Sequence, residues 1–335
     1  MINRFTSVLK AKEAGIIAWI LLVGLVSSIL SPNFLTPNNL VNILAQSAVV
    51  GIMAIGMTMV IITGGGGIDL SAGSILGISS VVMAMTIIPP ELFRDTAAML
   101  VLPNDFWIIL KALIFCLGTG AVCGFLNGCM ITWAKLPPFI ATLSLMAAAR
   151  GTAAYISAGI PTYGMPTSLV YVGQGSISFI PIPVLVMLAL GLIVHLALTR
   201  SVFGITLFAV GGNRETARFS GMNVNRLLIS VYVLSGVFAA IAGVILSARG
   251  NQVHPDAGTG YELSAIGASV IGGTSMMGGA GGIPGAILGA IFMAEVQNVI
   301  NILNIPVAYM KPVLGGLIVM AVLLDQWHKK RDTGE

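Results

Sequence analysis

Arg214, Glu215, Arg218 and Arg226 stand close together in a chain only 8% of whose residues are charged. In this pattern the side chains are suited to gripping a partner through charge-assisted hydrogen bonds rather than to making or breaking covalent bonds. They lie in GITLFAVGGNRETARFSGMNVNR, Gly204 to Arg226, the longest polar stretch between two long apolar ones. The Gly211–Gly212 pair is a chain breaker, Asn213 a favoured N-cap, and Gly221 a favoured stop at C′. The expectation is a loop, a short helix over Arg214–Ser220 and a second loop. Such a helix is too short to hold alone. It must rest on this chain's own membrane-face ends or on a second protein; a solvated basic loop is the plainer alternative.

The second stretch of interest is TGGGGIDLSAGS, Thr63 to Ser74. Its glycines permit close backbone approach. Asp69 is expected at a helix start, where the dipole favours its charge, with Ser71 in the first turn. That makes Asp69 either an N-cap at the membrane face or part of a hinge with Gly66, Gly67, Ser71 and Gly73, beside the translocation path or a gate.

Other chemistry is excluded more firmly. The chain has no G-x-x-x-x-G-K-[ST] and no Gly-Lys pair, so it cannot hydrolyse ATP through a P-loop by itself. It lacks H-E-x-x-H and G-x-S-x-G, and its three histidines, His195, His254 and His328, are far apart. Cys116, Cys123 and Cys129 share one apolar segment without His or carboxylate neighbours, which reads as packing rather than a metal site. Neither enzyme activity nor a cofactor is expected. Carboxylates inside the membrane, the usual parts of ion-coupled pumps, are nearly absent, Glu295 being the main candidate.

The elements that position these residues are membrane helices. Of 335 residues 56% are hydrophobic, and the mean hydropathy is +0.98. Soluble domains carry about a quarter charged residues. The 41 glycines suit close helix packing. Apolar spans are expected at about 14–30, 40–63, 70–88, 106–134, 139–157, 177–198, 227–246, 281–302 and 305–324. A weaker glycine-rich segment at 263–279 could be broken or re-entrant. No small-x-small cleavage site follows the first span, which is therefore read as uncleaved. The expected fold is an all-α membrane protein of about ten helices, one transmembrane domain over 1–335, with outer loops at 89–105, 159–176 and 248–262. With the N-terminus inside, the inner segments hold eleven Lys/Arg against two outside, so both termini and 200–226 are expected to be cytoplasmic. Lys111 and Lys311 can snorkel to the outer face, whereas Arg150 needs a partner or a water-filled cavity.

Two pseudo-repeated halves are suggested. Ile52–Thr63, Gly64–Gly67 and Leu70–Met85 are echoed by Leu263–Val270, Gly272–Gly282 and Ile283–Met293, which makes Gly272 and Gly273 the second candidate hinge. A path for a polar solute would use uncharged polar groups. Gln46, Asn127, Ser144, Gln297, Asn298 and Asn301 are the candidates, an interhelical hydrogen bond being the alternative for each.

Four ordered stretches carry a family resemblance: GIDLSAGS (67–74), FLNGCMITWAKLPPFIATLSLMAAARG (125–151), FAVGGNRETARFSGMNVNR (208–226) and IGGTSMMGGAGGIPGAILGA (271–290). In order and spacing the chain resembles the permeases of ribose/xylose-type ABC sugar importers over most of 40–325. It departs in having four glycines before I-D-L-S, in Met276, Met277 and Ala280, and in a longer insert at 89–105. The resemblance implies a bacterial cytoplasmic (inner) membrane location and a second permease copy or paralogue. It also implies a cytoplasmic ATPase with two nucleotide-binding domains and a periplasmic or lipid-anchored sugar-binding protein. Gly212, Asn213, Arg214, Glu215, Arg218 and Gly221 would form the coupling helix that rests on the ATPase, and nucleic acid would play no part. A stand-alone transporter or facilitator for a small polar solute is the other reading.

Overall fold

The computed structural model of the protein describes residues 2–88 and 104–306 with scattered positions from 309 to 323, and the side chains from residue 13 onward. Seven helices among the described residues are long and apolar enough to cross a membrane. They are α1 (Ile2–Leu30), α2 (Pro37–Ile62), α4 (Phe106–Thr132), α5 (Pro138–Ser157), α7 (Ile182–Arg200), α10 (Val224–Gly250) and α12 (Ile283–Ile302). Three shorter apolar helices accompany them: α3 (Ala72–Ile87), α8 (Val202–Gly212) and α11 (Tyr261–Ile271). Two small helices, α6 (Thr167–Gln174) and α9 (Arg214–Phe219), lie between them.

The protein is thus a largely helical, multi-pass membrane protein, and its long spans begin and end within a few residues of expectation. Among the described residues seven, not ten, meet that length. At 16 and 11 residues, α3 and α11 fall short of the length that a lone crossing requires. Part of 305–324, including Lys311, the C-terminal tail and positions 89–103 of the first outer loop lie outside the described residues.

Two expectations are corrected. The 200–226 segment does not open with a loop. Val202–Gly212 is helical, with Leu207 and Val210 buried, and the glycine pair lies in the last turn of the helix rather than breaking it. Nor is 159–176 a plain loop. Thr162–Tyr163 pairs antiparallel with Gln252–Val253, and Thr167–Gln174 forms α6. The two expected outer loops are therefore tied together, further secured by Met165 N donating to Asn251 Oδ1 at 2.9 Å and Gln174 Nε2 donating to the Arg249 carbonyl at 2.9 Å.

The chain forms two compact units that are not its sequence halves. One comprises 1–67, 187–222 and 263–335; the other comprises 68–186 and 223–262. In the first, α2 packs against α12, and α12 against α1. Thr58 Oγ1 donates to Ser269 Oγ at 3.1 Å, joining α2 to α11. In the second, α3, α4 and α10 pack mutually, with α5 on α3 and α6 on α10. The α4–α10 contact is a glycine seam. A β-carbon on Gly120 would fall on the Gly236 carbonyl, one on Gly124 on the Tyr232 carbonyl, and one on Gly128 lies 2.7 Å from the Ile229 α-carbon. Small residues let the backbones touch, which is how helices associate where lipid supplies no hydrophobic drive.

Candidate functional site

The short helix of the polar segment forms as expected. Asn213 has extended backbone, and its side chain accepts from Thr216 N at 2.9 Å, an N-cap bond. At the other end Gly221 has φ +80°, with Gly221 N donating to the Arg218 carbonyl and Met222 N to the Ala217 carbonyl. One side of α9 is closed and the other open. Ala217 is buried, whereas Glu215, Arg218 and Phe219 are exposed, Phe219 to 88%. Phe219 thus adds an exposed aromatic ring to the face that carries Glu215 and Arg218. Sequence reasoning did not select Phe219, although its place one residue after Arg218 in a two-turn helix was a usable signal.

Arg214 departs from the rest of the set. Its guanidinium turns back to the C-terminal end of α2, where Nη2 donates to the Gly64 carbonyl at 2.8 Å and reaches the Thr63 carbonyl at 3.5 Å. A helix C-terminus leaves four carbonyls without intrahelical partners and carries partial negative charge, which favours a cation there. A second donor comes from the other glycine-rich break: Gly279 N donates to the Ile62 carbonyl at 2.9 Å. Gly211, at the end of α8, seats its backbone against the same carbonyl, with no room for a β-carbon. Three stretches singled out separately in the sequence thus meet at one backbone junction: the break after α2, the end of α8, and the 272–282 break.

The expected hinge residues separate. Gly66 has open space around its α-carbon and φ +74°, whereas Gly67, Gly73 and Gly272 are closed in by neighbouring backbone or side-chain atoms. Gly273 has φ +88° and begins the 272–282 turn.

Asp69 does not cap α3. It lies in the linker ahead of that helix, fully buried, at the centre of a polar knot in the second unit. Oδ1 accepts from Ser71 N at 3.0 Å, from Ser71 Oγ at 2.6 Å and from Asn127 Nδ2 at 3.5 Å, while Oδ2 accepts from Ser235 Oγ at 2.7 Å. Asn127 Nδ2 also donates to Ser71 Oγ at 2.8 Å. Burial pushes the Asp69 carboxyl up from its ordinary range, and the hydrogen bonds from Ser71 and Ser235 draw it down.

Three of the path candidates form interhelical pairs. Gln46 Nε2 donates to Gln297 Oε1 at 2.8 Å, and Asn39 and Asn298 exchange side-chain bonds at 3.1 and 2.7 Å. Ser144 is exposed, its hydroxyl donating to its own helix at the Ile140 carbonyl, and Asn301 is exposed at the end of α12. Arg150 has found partners: Nε and Nη2 donate to Ser74 Oγ at 3.3 and 3.1 Å, and Nη1 donates to Thr259 Oγ1.

Comparison with known proteins gives this arrangement its context. Residues 39–322 match the family described as branched-chain amino acid transport system / permease component. The ribose import permease protein RbsC of Bacillus subtilis (strain 168) is 38% identical over 94% of this chain and 93% of its own. The D-allose transport system permease protein AlsC of Escherichia coli (strain K12) is 36% identical, over 91% and 89%. The xylose transport system permease protein XylH of the same organism is 32% identical, over 89% and 87%. No solved structure matches the chain significantly. With a transport permease pattern across most of its length and such relatives over nearly all of it, the chain is a transport subunit rather than an enzyme, and it belongs to the ribose/xylose-type permease family of ABC importers.

Proposed function

We propose that the protein is the permease of an importer for a monosaccharide or a related small polar sugar in a bacterial cytoplasmic membrane, with α9 as the element on which a cytoplasmic ATPase bears. The substrate class rests on the names of the relatives, which include ribose, D-allose and xylose. The ATPase contact rests on one observation: α9 is capped at both ends, held to its own unit through Arg214, and left open along Glu215, Arg218 and Phe219. The partners are an ATPase with two nucleotide-binding domains, a periplasmic or lipid-anchored sugar-binding protein, and a second permease copy or paralogue. About ten crossings, with both termini cytoplasmic, follow if α3, α11 and 305–324 complete the seven long spans.

The mechanism is alternating access. ATP closes the ATPase dimer, the α9 helices of the permease pair are drawn together, and the pair opens toward the binding protein. Hydrolysis then resets it.

Charge reversal in Glu215→Arg should leave the protein in the membrane at normal amount and lower ATP-driven sugar uptake about tenfold or more, the loss of one charge-assisted contact. Gly221→Val, which forces a β-branched residue into φ +80°, should do the same by displacing the end of α9. A pull-down of the tagged protein from its native membrane, with mass spectrometry, tests the partners. Recovery of the chain alone, with uptake that survives ATP depletion, would move the reading to a stand-alone transporter.

A further inference from the structure

The carbonyls at the end of α2 are taken up one by one. Those of Val60 and Ile61 accept from Thr63 N and Gly64 N within the closing turn. That of Ile62 accepts from Gly279 N, and those of Thr63 and Gly64 face Arg214. The Gly64 carbonyl also accepts from Gly67 N at 3.1 Å. Two of the donors, Gly279 N and Arg214, therefore come from segments remote in sequence, and Arg214 is a side chain of α9 itself. Among the described residues, the side-chain hydrogen bonds that run from α9 to another segment are those of Arg214; Asn213, Thr216 and Ser220 bond within the helix and its cap.

Between α8 and α9 lies a pivot. Gly212 is exposed, nothing stands within 4 Å of where its β-carbon would be, and Asn213 is fully extended. A pull applied to the open face of α9 would otherwise reach α2 only by way of α8, whose Gly211 backbone lies against the Ile62 carbonyl. Arg214 bridges the pivot. Its guanidinium lies against Gly65, where a β-carbon would sit 2.9 Å from Cζ.

We propose that Arg214 is a positioning residue: it locks α9 to the C-terminal end of α2, so that force on α9 is delivered to α2 and to the Gly64–Gly67 break rather than spent at Gly212. This rests on the reading of α9 as the ATPase contact and assigns its residues different tasks. Glu215, Arg218 and Phe219 receive the partner, while Arg214 never touches it. The Gly64–Gly67 break is where the chain leaves the first compact unit for the second, so its position bears on a unit boundary.

The test compares wild type, Arg214→Gln, Arg214→Met and Arg214→Lys in the native membrane with all partners present. Three readouts are taken: the ATPase recovered with the tagged permease, sugar uptake, and hydrogen exchange of peptides covering 58–67 and 213–221 with and without ATP plus vanadate. In wild type both peptides should respond to trapping. In R214Q the ATPase should be recovered at wild-type ratio and 213–221 should still respond, while the response of 58–67 is lost and uptake falls about tenfold, the worth of one charge-assisted bond. R214K, which keeps a cation at the helix end, should restore both to within about threefold.

Normal uptake by R214Q, or an unchanged response at 58–67, overturns the proposal and leaves the reading of α9 intact. Loss of the ATPase from R214Q also overturns it, since Arg214 would then be a docking contact. R214M keeps the apolar stem and substitutes if R214Q does not accumulate. Failure of both to accumulate assigns Arg214 to folding and equally overturns the proposal. If wild type itself recovers no ATPase, the reading of α9 fails and the proposal falls with it.

Discussion

Gly124→Val should remove the protein from the membrane, whereas Gly118→Val on the same helix should not. The two positions differ in what a side chain would meet. Around Gly118 there is nothing within 4 Å, and it is exposed. At Gly124 a β-carbon would overlap the backbone of Tyr232 and lie 2.7 Å from the α-carbon of Val233. Backbone cannot step aside as a flexible side chain can. The valine therefore drives α4 away from α10 and opens the seam that also holds Gly120, Gly128 and Gly236. Overpacking of ordinary cores costs about 1–3 kcal/mol. Here a whole helix–helix contact is lost, and a cost of roughly 3 kcal/mol or more follows. Full-length protein in the membrane and its thermal stability in mild detergent are the measurements. Equal accumulation of the two variants would show that the seam is not what holds the second unit together.

The other large effect is expected at Asp69. Asp69→Ala withdraws one buried acceptor from Ser71, Asn127 and Ser235 together. Each buried donor left without a partner costs about 1–3 kcal/mol, and with some rotation of the hydroxyls the sum should be about 2–4 kcal/mol. Asp69→Asn keeps the shape and one acceptor oxygen, and the Ser235 hydroxyl can turn to accept from the new amide. It should recover most of the stability. The melting temperature of the purified protein, read for both variants, separates them. If D69A melts with wild type, the knot contributes nothing and Asp69 is free for another role.

How much of this could be read from the chain depends on how local each cause is. The N-cap at Asn213 and the stop at Gly221 act within a few residues, and the helix between them was legible from end to end. The long spans were legible because twenty apolar residues in a row have few alternatives. The helix Val202–Gly212 was not, because its glycine pair reads as a breaker. What the glycine serves is the close approach of Gly211 to Ile62, a residue far away in sequence. The same distance hid the direction of Arg214, which on composition belongs with Arg218 and on geometry does not. Asp69 was found as notable and misplaced, since its partners Asn127 and Ser235 come from two other helices. Gln46 and Gln297 were each recognised as polar groups in the membrane, yet nothing in either segment shows that they satisfy one another. Phe219 was passed over although its place next to Arg218 in a two-turn helix was a signal, because its exposure depends on which side of α9 the rest of the unit covers.

The pairing of Gln46 with Gln297 spans 251 residues of chain. Ribosomes add about 5–20 residues per second, so α2 is finished some tens of seconds before α12 exists. During that interval Gln46 lacks Gln297 and Asn39 lacks Asn298, and α2, later buried along almost all of its length, lies open toward the place of α12. The second unit cannot close in the meantime either, because α10 is made after α7, α8 and α9. Insertion into the bilayer and assembly are thus separate events for this protein. The early helices wait as a loose set, needing shelter from the insertion machinery, and both units close only when the last third of the chain arrives.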